Sequence, residues 1–394
     1  MSERADVVIV GGGIMGLSIA FQLAQRGAGR VLVLEKRVVG AGSSGKSGAI
    51  LRQHYSHATT VRMARESLGF YASFQETYGR DIGFRRSGMI FLCHAEDRAA
   101  LEANVALQRG LGVEVETLEA PDLRELEPRA VFGDEVIGAL EPEAGFVDPR
   151  RTLAALRELC AEHRVDVREG VRVTDVRVDG GPVVRGVEVD GAARIDAPVV
   201  VNAAGPWAAR LCERLGVDVP LRAIRPEQAY FAPPPGDPAE RHVYGDLLTG
   251  LYWKPEAAGW TRVGKMAYDG DADVPDPDDY DEGVSHAFIA DCRRRLADRL
   301  PRYRDAISWG GCAALYTVTP DAHALIGPVP GVDGLFVCSG FSGHGFKMGP
   351  AVGRGVAGLV TGTDPGPLDP DFFAVDRFAR GAPVGTAYRY GILG

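Results

Sequence analysis

The sequence predicts an α/β fold in which a parallel sheet is flanked by helices. Three observations predict it. A strand, a glycine-rich turn and a helix open the chain, strand-like segments resume in its middle, and a second strand, glycine-rich loop and helix come near its end. With 394 residues, 45% of them hydrophobic, the chain exceeds one typical domain. We therefore expect two domains.

The opening turn has the spacing of a dinucleotide-binding motif. The segment 6–10, an Asp followed by four β-branched residues, leads directly into Gly-Gly-Gly-Ile-Met-Gly, and residues 17–26 have apolar side chains at helical spacing. In this reading Gly11 permits the tight turn, Gly13 lets backbone N–H groups approach a pyrophosphate, and Gly16 allows close helix packing. The pattern predicts a Rossmann-type unit.

Two further features bear on the identity of the dinucleotide. The next strand, 31–34, ends in Glu35, which is placed to accept a ribose hydroxyl. The small-residue segment 40–48 follows and supplies free backbone N–H groups where a long dinucleotide would continue. The opening motif alone fits FAD or NAD, and this second segment favours FAD; the alternative is an ordinary flexible loop.

Composition excludes several other classes of protein. The formal net charge is −9, and Lys and Arg are dispersed along the chain, which argues against nucleic-acid binding. The six cysteines lie far apart without a CxxC pair, so we expect free thiols and no metal site. No apolar stretch has membrane-spanning length, and the N-terminus lacks a signal-peptide pattern. We expect a soluble cytoplasmic protein.

Residues 221–324 are rich in aromatic residues, Pro and Asp, a composition that suits a cap over a ligand. Within them the acidic segment 269–282 is interpreted as a solvated connection, with a lid as the alternative.

Four segments together resemble a known family. They are the 11–16 turn with Glu35, and the segments 202–208, 315–331 and 341–353. The chain resembles, over nearly its whole length, the D-amino-acid oxidase superfamily of FAD-dependent oxidoreductases. It is most similar to the sarcosine oxidase branch and also resembles glycine oxidase and the sarcosine oxidase beta subunit.

The resemblance implies a glutathione-reductase-like FAD-binding Rossmann domain and a discontinuous substrate domain of α+β structure with a large mixed sheet. The FAD domain would comprise 1–85, 150–220 and 325–394, and the substrate domain 86–149 and 221–324.

The resemblance also implies which residues bind the cofactor. These are Gly11, Gly13, Ile14, Met15, Gly16, Glu35, Lys36, Gly42, Ser43, Ser44, Gly45, Lys46, Val173, Ala204, Gly205, Trp207, Gly343, His344, Gly345, Phe346 and Lys347. Relatives that hold FAD covalently have a cysteine where this chain has Ala314. We therefore predict noncovalent FAD, with Cys312 as a buried structural thiol. For His344, a catalytic base is the alternative to a packing role.

The family's carboxylate-binding pair falls on Arg52 and Lys347, which would orient an amino-acid substrate over the flavin. Tyr252 and Trp253 would line the substrate pocket. Trp253 and Asp269 stand where sarcosine-specific relatives have Tyr and His, so sarcosine itself is not the expected substrate.

Lys265 matches the family lysine that assists reduction of O2 beside flavin N5. The catalytic set is thus Lys265, Arg52 and Lys347. The resemblance implies an FAD-dependent oxidase of an amino acid or N-alkyl amine. A hydride leaves the C–H next to nitrogen for flavin N5, the imine hydrolyses, and O2 is reduced to H2O2. Two alternatives stay open: a dehydrogenase or flavin subunit that passes electrons to a partner subunit, and a flavin-bearing scaffold without turnover.

Overall fold

A computed structural model describes residues 3–190, 193–233, 236, 241–256, 259–268 and 273–385. Asp269 lies outside these residues. In this described part of the chain, no helix is long and apolar enough to cross a membrane.

The strands are numbered along the chain. They are β1 (Glu3–Arg4), β2 (Val7–Val10), β3 (Val31–Glu35), β4 (Ile50–Leu51), β5 (Arg85–Arg86), β6 (Met89–His94), β7 (Glu116–Leu118), β8 (Val136–Glu141), β9 (Gly145–Phe146), β10 (Asp166–Glu169), β11 (Val173–Val178), β12 (Val184–Val189), β13 (Ala193–Asp196), β14 (Val199–Asn202), β15 (Arg222–Ile224), β16 (Glu227–Phe231), β17 (Val243–Asp246), β18 (Leu251–Pro255), β19 (Thr261–Lys265), β20 (Ser308–Ala313), β21 (Tyr316–Val318), β22 (Leu325–Pro328) and β23 (Leu335–Ser339).

The α-helices are numbered in the same way. They are α1 (Ile14–Gln25), α2 (Ala58–Ala72), α3 (Phe74–Tyr78), α4 (Arg98–Gly110), α5 (Ala120–Leu126), α6 (Pro149–Glu162), α7 (Ala208–Glu213), α8 (His286–Arg299) and α9 (Gly345–Thr361).

The first large sheet has the order β10-β3-β2-β14-β23-β22. Its strands are parallel except β22, which runs antiparallel to β23. The central strands β2, β3 and β14 are almost entirely buried Val, Ile and Leu, because helices cover one face and a small sheet covers the other. Helices α1, α6 and α9 pack together on the first face, and the sheet β1-β13-β12-β11 packs on the second.

The second large sheet has the order β20-β16-β19-β18-β17-β6-β8-β7 and is mixed, since β17 runs parallel to β6 while its other pairs are antiparallel. Helix α8 packs on one of its faces through a core that includes Phe288, Cys292 and Leu296. The sheet therefore has one face toward α8 and one toward the first sheet's loops.

The predicted α/β fold with a mixed second sheet is present. All strands of the first large sheet lie within 1–85, 150–220 and 325–394, and all strands of the second lie within 86–149 and 221–324. We propose this division as the two domains.

Helices α1 and α9 approach each other closely because small residues face the contact. A Cβ on Gly353 would lie 2.6 Å from the Ser18 carbonyl oxygen, and one on Gly349 would lie 2.7 Å from the Ile14 side chain. At the start of α1, a Cβ on Gly16 would meet the Gly11 carbonyl oxygen at 1.9 Å. Glycine is therefore required where α1 meets the turn before it and where it meets α9.

Replacing Gly16 with Ala tests this contact. The new methyl group would collide with the rigid backbone at Gly11, so we expect the free energy of unfolding to fall by about 2–3 kcal/mol. Thermal unfolding of the flavin-loaded protein measures the change. Gly69→Ala is the matched control, because Gly69 is an exposed α2 residue whose Cβ would meet nothing within 4 Å. Equal midpoints for the Gly16→Ala variant and the unmodified protein would contradict the packing described.

Candidate active site

A cleft of about 400 Å³ opens at the carboxyl edge of the first large sheet. The ends of β2, β3 and β23 and the loop after β14 contribute Val10, Glu35, Ser339 and Ala203 to its wall. The carboxyl edge of an open α/β sheet, where connections diverge to opposite faces, is the usual position of a ligand.

The amino end of α1 points into this cleft. Its first turn begins after Gly13, and the Ile14 N–H donates to the Ser44 hydroxyl at 3.0 Å. A Cβ on Gly13 would stand only 3.0 Å from that hydroxyl oxygen. The backbone N–H groups at the amino end of α1 and the positive end of the helix dipole make this point suited to a pyrophosphate, and residues 40–44 form a second wall.

Glu35 organises the same end of the cleft. Its carboxylate accepts the Gly12 N–H at 2.8 Å and the Arg37 N–H at 2.9 Å. Each oxygen retains a lone pair, so the carboxylate can still accept a ribose hydroxyl. Beside it, the Lys36 ammonium lies 3.5 Å from the centroid of the Trp207 ring.

Most of the predicted cofactor residues line this cleft. They are Gly11, Gly13, Ile14, Met15, Glu35, Lys36, Gly42, Ser43, Ser44, Lys46, Val173, Ala204, Gly205, Trp207, Gly343, Gly345 and Phe346.

Gly16, Gly45, His344 and Lys347 do not line it. Gly16 and Gly45 instead allow backbone contacts behind the cleft wall, since a Cβ on Gly45 would lie 2.4 Å from the Gly40 carbonyl oxygen. The His344 ring packs edge-on against Tyr55, with centroids 5.6 Å apart.

The described part of the acidic segment, 273–282, is mostly exposed, as in a solvated connection, and some of its side chains also reach the cleft. Asp278 forms an ion pair with Lys36 and lies 3.7 and 3.8 Å from Arg172 and Arg210. The Lys46 ammonium donates to the Tyr280 hydroxyl at 2.8 Å. Part of this segment therefore lies against a rim of basic residues, and its members in the cleft wall are Pro277, Asp278, Tyr280 and Glu282.

Sequence reasoning missed this rim because the basic residues are scattered along the chain and meet only in the fold. The missed basic residues of the cleft wall are Arg37, Arg172, Arg210 and Arg214.

The second large sheet contributes its cleft-facing side through Gln228 and Arg262. Gln228 lines the cleft, and the Arg262 guanidinium donates to its side-chain oxygen at 2.5 Å and to the carbonyl oxygens of Lys46 and Ser47 at 3.2 Å. Arg262 therefore connects the second large sheet to the segment 40–47 by hydrogen bonds. Tyr252 lies on this same face, packed over Gly264 on the neighbouring strand.

Two predicted residues lie on the opposite face, so their predicted roles are corrected. Trp253 is fully buried and stacks on Tyr244 at 4.7 Å between ring centroids, within the core that α8 covers. Lys265 pairs directly with Leu251 of that core, and its ammonium lies 5.7 Å from the centroid of the Phe288 ring. Because side chains alternate between the faces of a strand, a shift of one residue in the motif match moves a residue away from the cleft.

Arg52 and Lys347 come together in a buried cluster beside the cleft, although neither lines it. Arg52 follows β4, its guanidinium carbon lies 4.3 Å from the centroid of the Tyr55 ring, and its Nη1 donates to the His54 carbonyl oxygen. Lys347 stands in the first turn of α9 and is 9% exposed. Burial, with Arg52 as a second cause, lowers the pKa of Lys347 well below its usual value.

Glu141 completes this cluster and was missed by sequence reasoning. It is 2% exposed at the end of β8, and burial raises its pKa to about 7, with the Gln53 N–H and the Arg52 and Lys347 charges among the opposing influences. Its sequence neighbourhood, Ala-Leu-Glu-Pro, carries no signal of a partner 88 residues away at Gln53.

The thiol expected to be structural is not fully buried. Cys312 is partly exposed and lies 3.4 Å from the Tyr230 hydroxyl, while Ala314 lines the cleft.

The comparisons with known proteins agree with this geometry. A family model described as FAD dependent oxidoreductase (DAO) matches residues 6–359. The chain therefore belongs to this family of FAD-dependent oxidoreductases, an enzyme class whose cofactor fits the cleft with its glycine cradle and helix terminus.

Particular relatives are similar over nearly the whole chain. 4-Methylaminobutanoate oxidase (formaldehyde-forming) of Paenarthrobacter nicotinovorans is 30% identical over 96% of this chain, which spans 46% of that protein. FAD-dependent oxidoreductase domain-containing protein 1 of Xenopus laevis is 31% identical over 97% of this chain and 84% of its own length. The crystal structure of L-proline dehydrogenase from P. horikoshii superposes with a TM-score of 0.86 and 25% identity, covering 97% and 99% of the two chains.

Replacing Lys265 with Met tests the placement of this lysine. Because the ammonium lies on the α8 face, we expect the rate of flavin reoxidation by O2 to change less than twofold. Stopped-flow spectroscopy of the reduced protein mixed with aerated buffer measures that rate. A slowing of about tenfold or more would show that the ammonium acts at the flavin. Lys254→Met is the comparison variant, because Lys254 lies on the face of β18 that is opposite to the α8 side.

Proposed function

We propose that the protein oxidises a secondary amine that carries a carboxylate. The buried cluster of Arg52 and Lys347 beside the cofactor cleft is the observation that carries this proposal. A guanidinium and an ammonium without a matching number of carboxylates are costly to bury, and a substrate carboxylate would lower that cost. Such a pair would hold the substrate by its carboxylate and leave the amine end toward the cofactor.

The relatives support the same class of substrate. Two of the relatives are named for 4-methylaminobutanoate and L-proline. Both compounds are secondary amines with a carboxylate. They differ in the distance between nitrogen and carboxylate, so they define a class of substrate instead of one compound.

FAD would be held noncovalently by the residues of the cleft. When bound, it supplies the two-electron acceptor for the hydride that leaves the carbon next to the amine nitrogen. The chain's own contribution is orientation: the α1 terminus and Ser44 hold the pyrophosphate, Glu35 holds a ribose, and Arg52 and Lys347 hold the substrate carboxylate. The imine that leaves reacts with water to give a carbonyl compound and an amine.

We propose O2 as the final electron acceptor, with H2O2 as the product, because the 4-methylaminobutanoate relative is named an oxidase. A dehydrogenase that passes electrons to a partner subunit is the second candidate. Two observations favour it: Lys265 faces away from the cleft, and the P. horikoshii structure is of a dehydrogenase. A reducing, cytoplasmic location is proposed from the six free cysteines.

Anaerobic spectroscopy of the yellow protein tests the proposed reaction. L-Proline, 4-methylaminobutanoate and other N-methyl, cyclic, D- and L-amino acids are added in turn, and flavin absorbance near 450 nm is followed. We expect bleaching by a carboxylated secondary amine, and fast recovery with H2O2 after air is admitted. Slow recovery in air would favour the dehydrogenase, and no bleaching by any carboxylated amine would contradict the proposal.

Replacing Arg52 with Met tests the role of the carboxylate. Loss of the buried Arg52 guanidinium is expected to raise the Kd of a carboxylated substrate about 30- to 100-fold. This corresponds to about 2–3 kcal/mol, the free energy of a hydrogen bond to a charged group. The limiting rate of flavin reduction should change less. The matched control substrate is the same amine without its carboxylate, which should bind the two proteins equally weakly. Equal losses for both substrates would contradict a carboxylate contact.

A further inference from the structure

Glu141 joins the second large sheet to the segment that carries Arg52. It is the last residue of β8, and one carboxylate oxygen accepts the Gln53 N–H at 2.6 Å. The carboxylate also accepts a hydrogen bond from the His54 backbone. Two adjacent N–H groups on one carboxylate fix the backbone on the carboxyl side of Arg52.

The segment held in this way is buried along its whole length. Arg52, Gln53, His54 and Tyr55 are 8%, 3%, 2% and 1% exposed. The Arg52 guanidinium stacks on Tyr55 and donates to the His54 carbonyl, so its position follows from the backbone that Glu141 anchors.

The fully ionised cluster carries more positive than negative charge. The titratable and charged groups around Glu141 are Arg52, Lys347, Tyr55 and His54. Burial and Arg52 lower the pKa of His54 to about 3, and burial raises the pKa of Tyr55 to about 12, so both are neutral near pH 7. When Arg52, Lys347 and Glu141 are all ionised, two cations therefore face one carboxylate.

Lys347 makes the surplus more costly. A cation in the first turn of α9 opposes the helix dipole, and among the described residues no side chain forms an ion pair or hydrogen bond with its ammonium. The influences on its charge are burial and Arg52, which oppose it, and Glu141, which favours it. Glu141 is therefore the group that allows two buried cations to stand together.

We propose that Glu141 is a positioning and charge-setting residue of the carboxylate site. Its oxygens hold the backbone that places Arg52. When all three groups are ionised, its negative charge leaves the Arg52–Lys347 pair with one surplus positive charge, matched to a single substrate carboxylate. This inference rests on the proposed function, because it assigns the substrate carboxylate to that pair.

The consequence is a proton linkage. A bound carboxylate raises the pKa of both Glu141 and Lys347, so binding takes up protons, and affinity falls as pH rises through the ionisation of each group. Since the pKa of Glu141 is about 7, its contribution falls near neutral pH. A rise of about one unit in that pKa on binding gives about a tenfold change in Kd.

Calorimetric titration of the flavin-loaded protein with propionate, a carboxylate that cannot be oxidised as an amine, tests the proposal between about pH 5.5 and pH 10. We expect the Kd of the unmodified protein to rise in two steps, one for Glu141 and one for Lys347. Glu141→Gln should retain one step, shifted to lower pH because Lys347 loses its neighbouring anion. Lys347→Met should retain the Glu141 step, shifted to higher pH, and the double variant should show neither.

Two further variants separate charge from structure. Glu143→Gln removes a half-exposed carboxylate two residues away that pairs with Arg86, and it should match the unmodified protein. Glu141→Asp keeps the charge and should keep both steps even with weaker binding, so it tests the proposal if Glu141→Gln does not fold. Two unaltered steps in Glu141→Gln, or loss of a step in Glu141→Asp, would overturn the role of Glu141 alone. Failure of the unmodified protein to bind propionate would overturn the carboxylate site itself.

Discussion

The close packing of the first and last long helices is the constraint on which the rest of the structure depends. Helix α1 directs its amino end into the cleft, and α9 carries Lys347 into the buried cluster. Both positions depend on glycines. Gly16 lets α1 fit against the turn before it, and Gly349 and Gly353 let α9 approach α1. The packing of α1 therefore sets the geometry of the cofactor end and of the cation beside it.

Local sequence patterns predicted the parts of the molecule that local geometry determines. The strand, glycine turn and helix at 7–25, and the strand and helix at 335–361, are present where the sequence places them. Strand–turn–helix units of this kind depend mainly on contacts between neighbouring segments. Their glycines stand where a tight turn or a close backbone contact requires them. The cleft residues follow from these units, so most of those predicted by the family resemblance line it.

In the second large sheet, the sequence alone did not predict which side chains face the cleft. Of the residues predicted there, Tyr252 lies on the cleft-facing side, whereas Trp253 and Lys265 lie on the opposite face. Arg262, which was not predicted, also faces the cleft. The face of a strand is decided by its register with neighbours that are distant in sequence, and the short motif around Lys265 does not fix that register. Glu141 was missed for a similar reason, because its partners come from β4's segment and α9, and nothing in its own neighbourhood specifies them.

The proposed chemistry of the site depends on positive groups that a bound cofactor or substrate would neutralise. The cleft presents helix N–H groups and basic residues for an anionic dinucleotide, and the adjoining cluster places Arg52 and Lys347 beside one carboxylate, Glu141.

A crystal structure of the FAD-loaded protein with propionate would test these two ligand sites most directly. We expect FAD along the cleft with its pyrophosphate at the amino end of α1, and propionate within hydrogen-bond distance of both Arg52 and Lys347. Propionate bound elsewhere, with Arg52 still donating to the His54 carbonyl and Lys347 without an anionic ligand, would contradict the proposed carboxylate site.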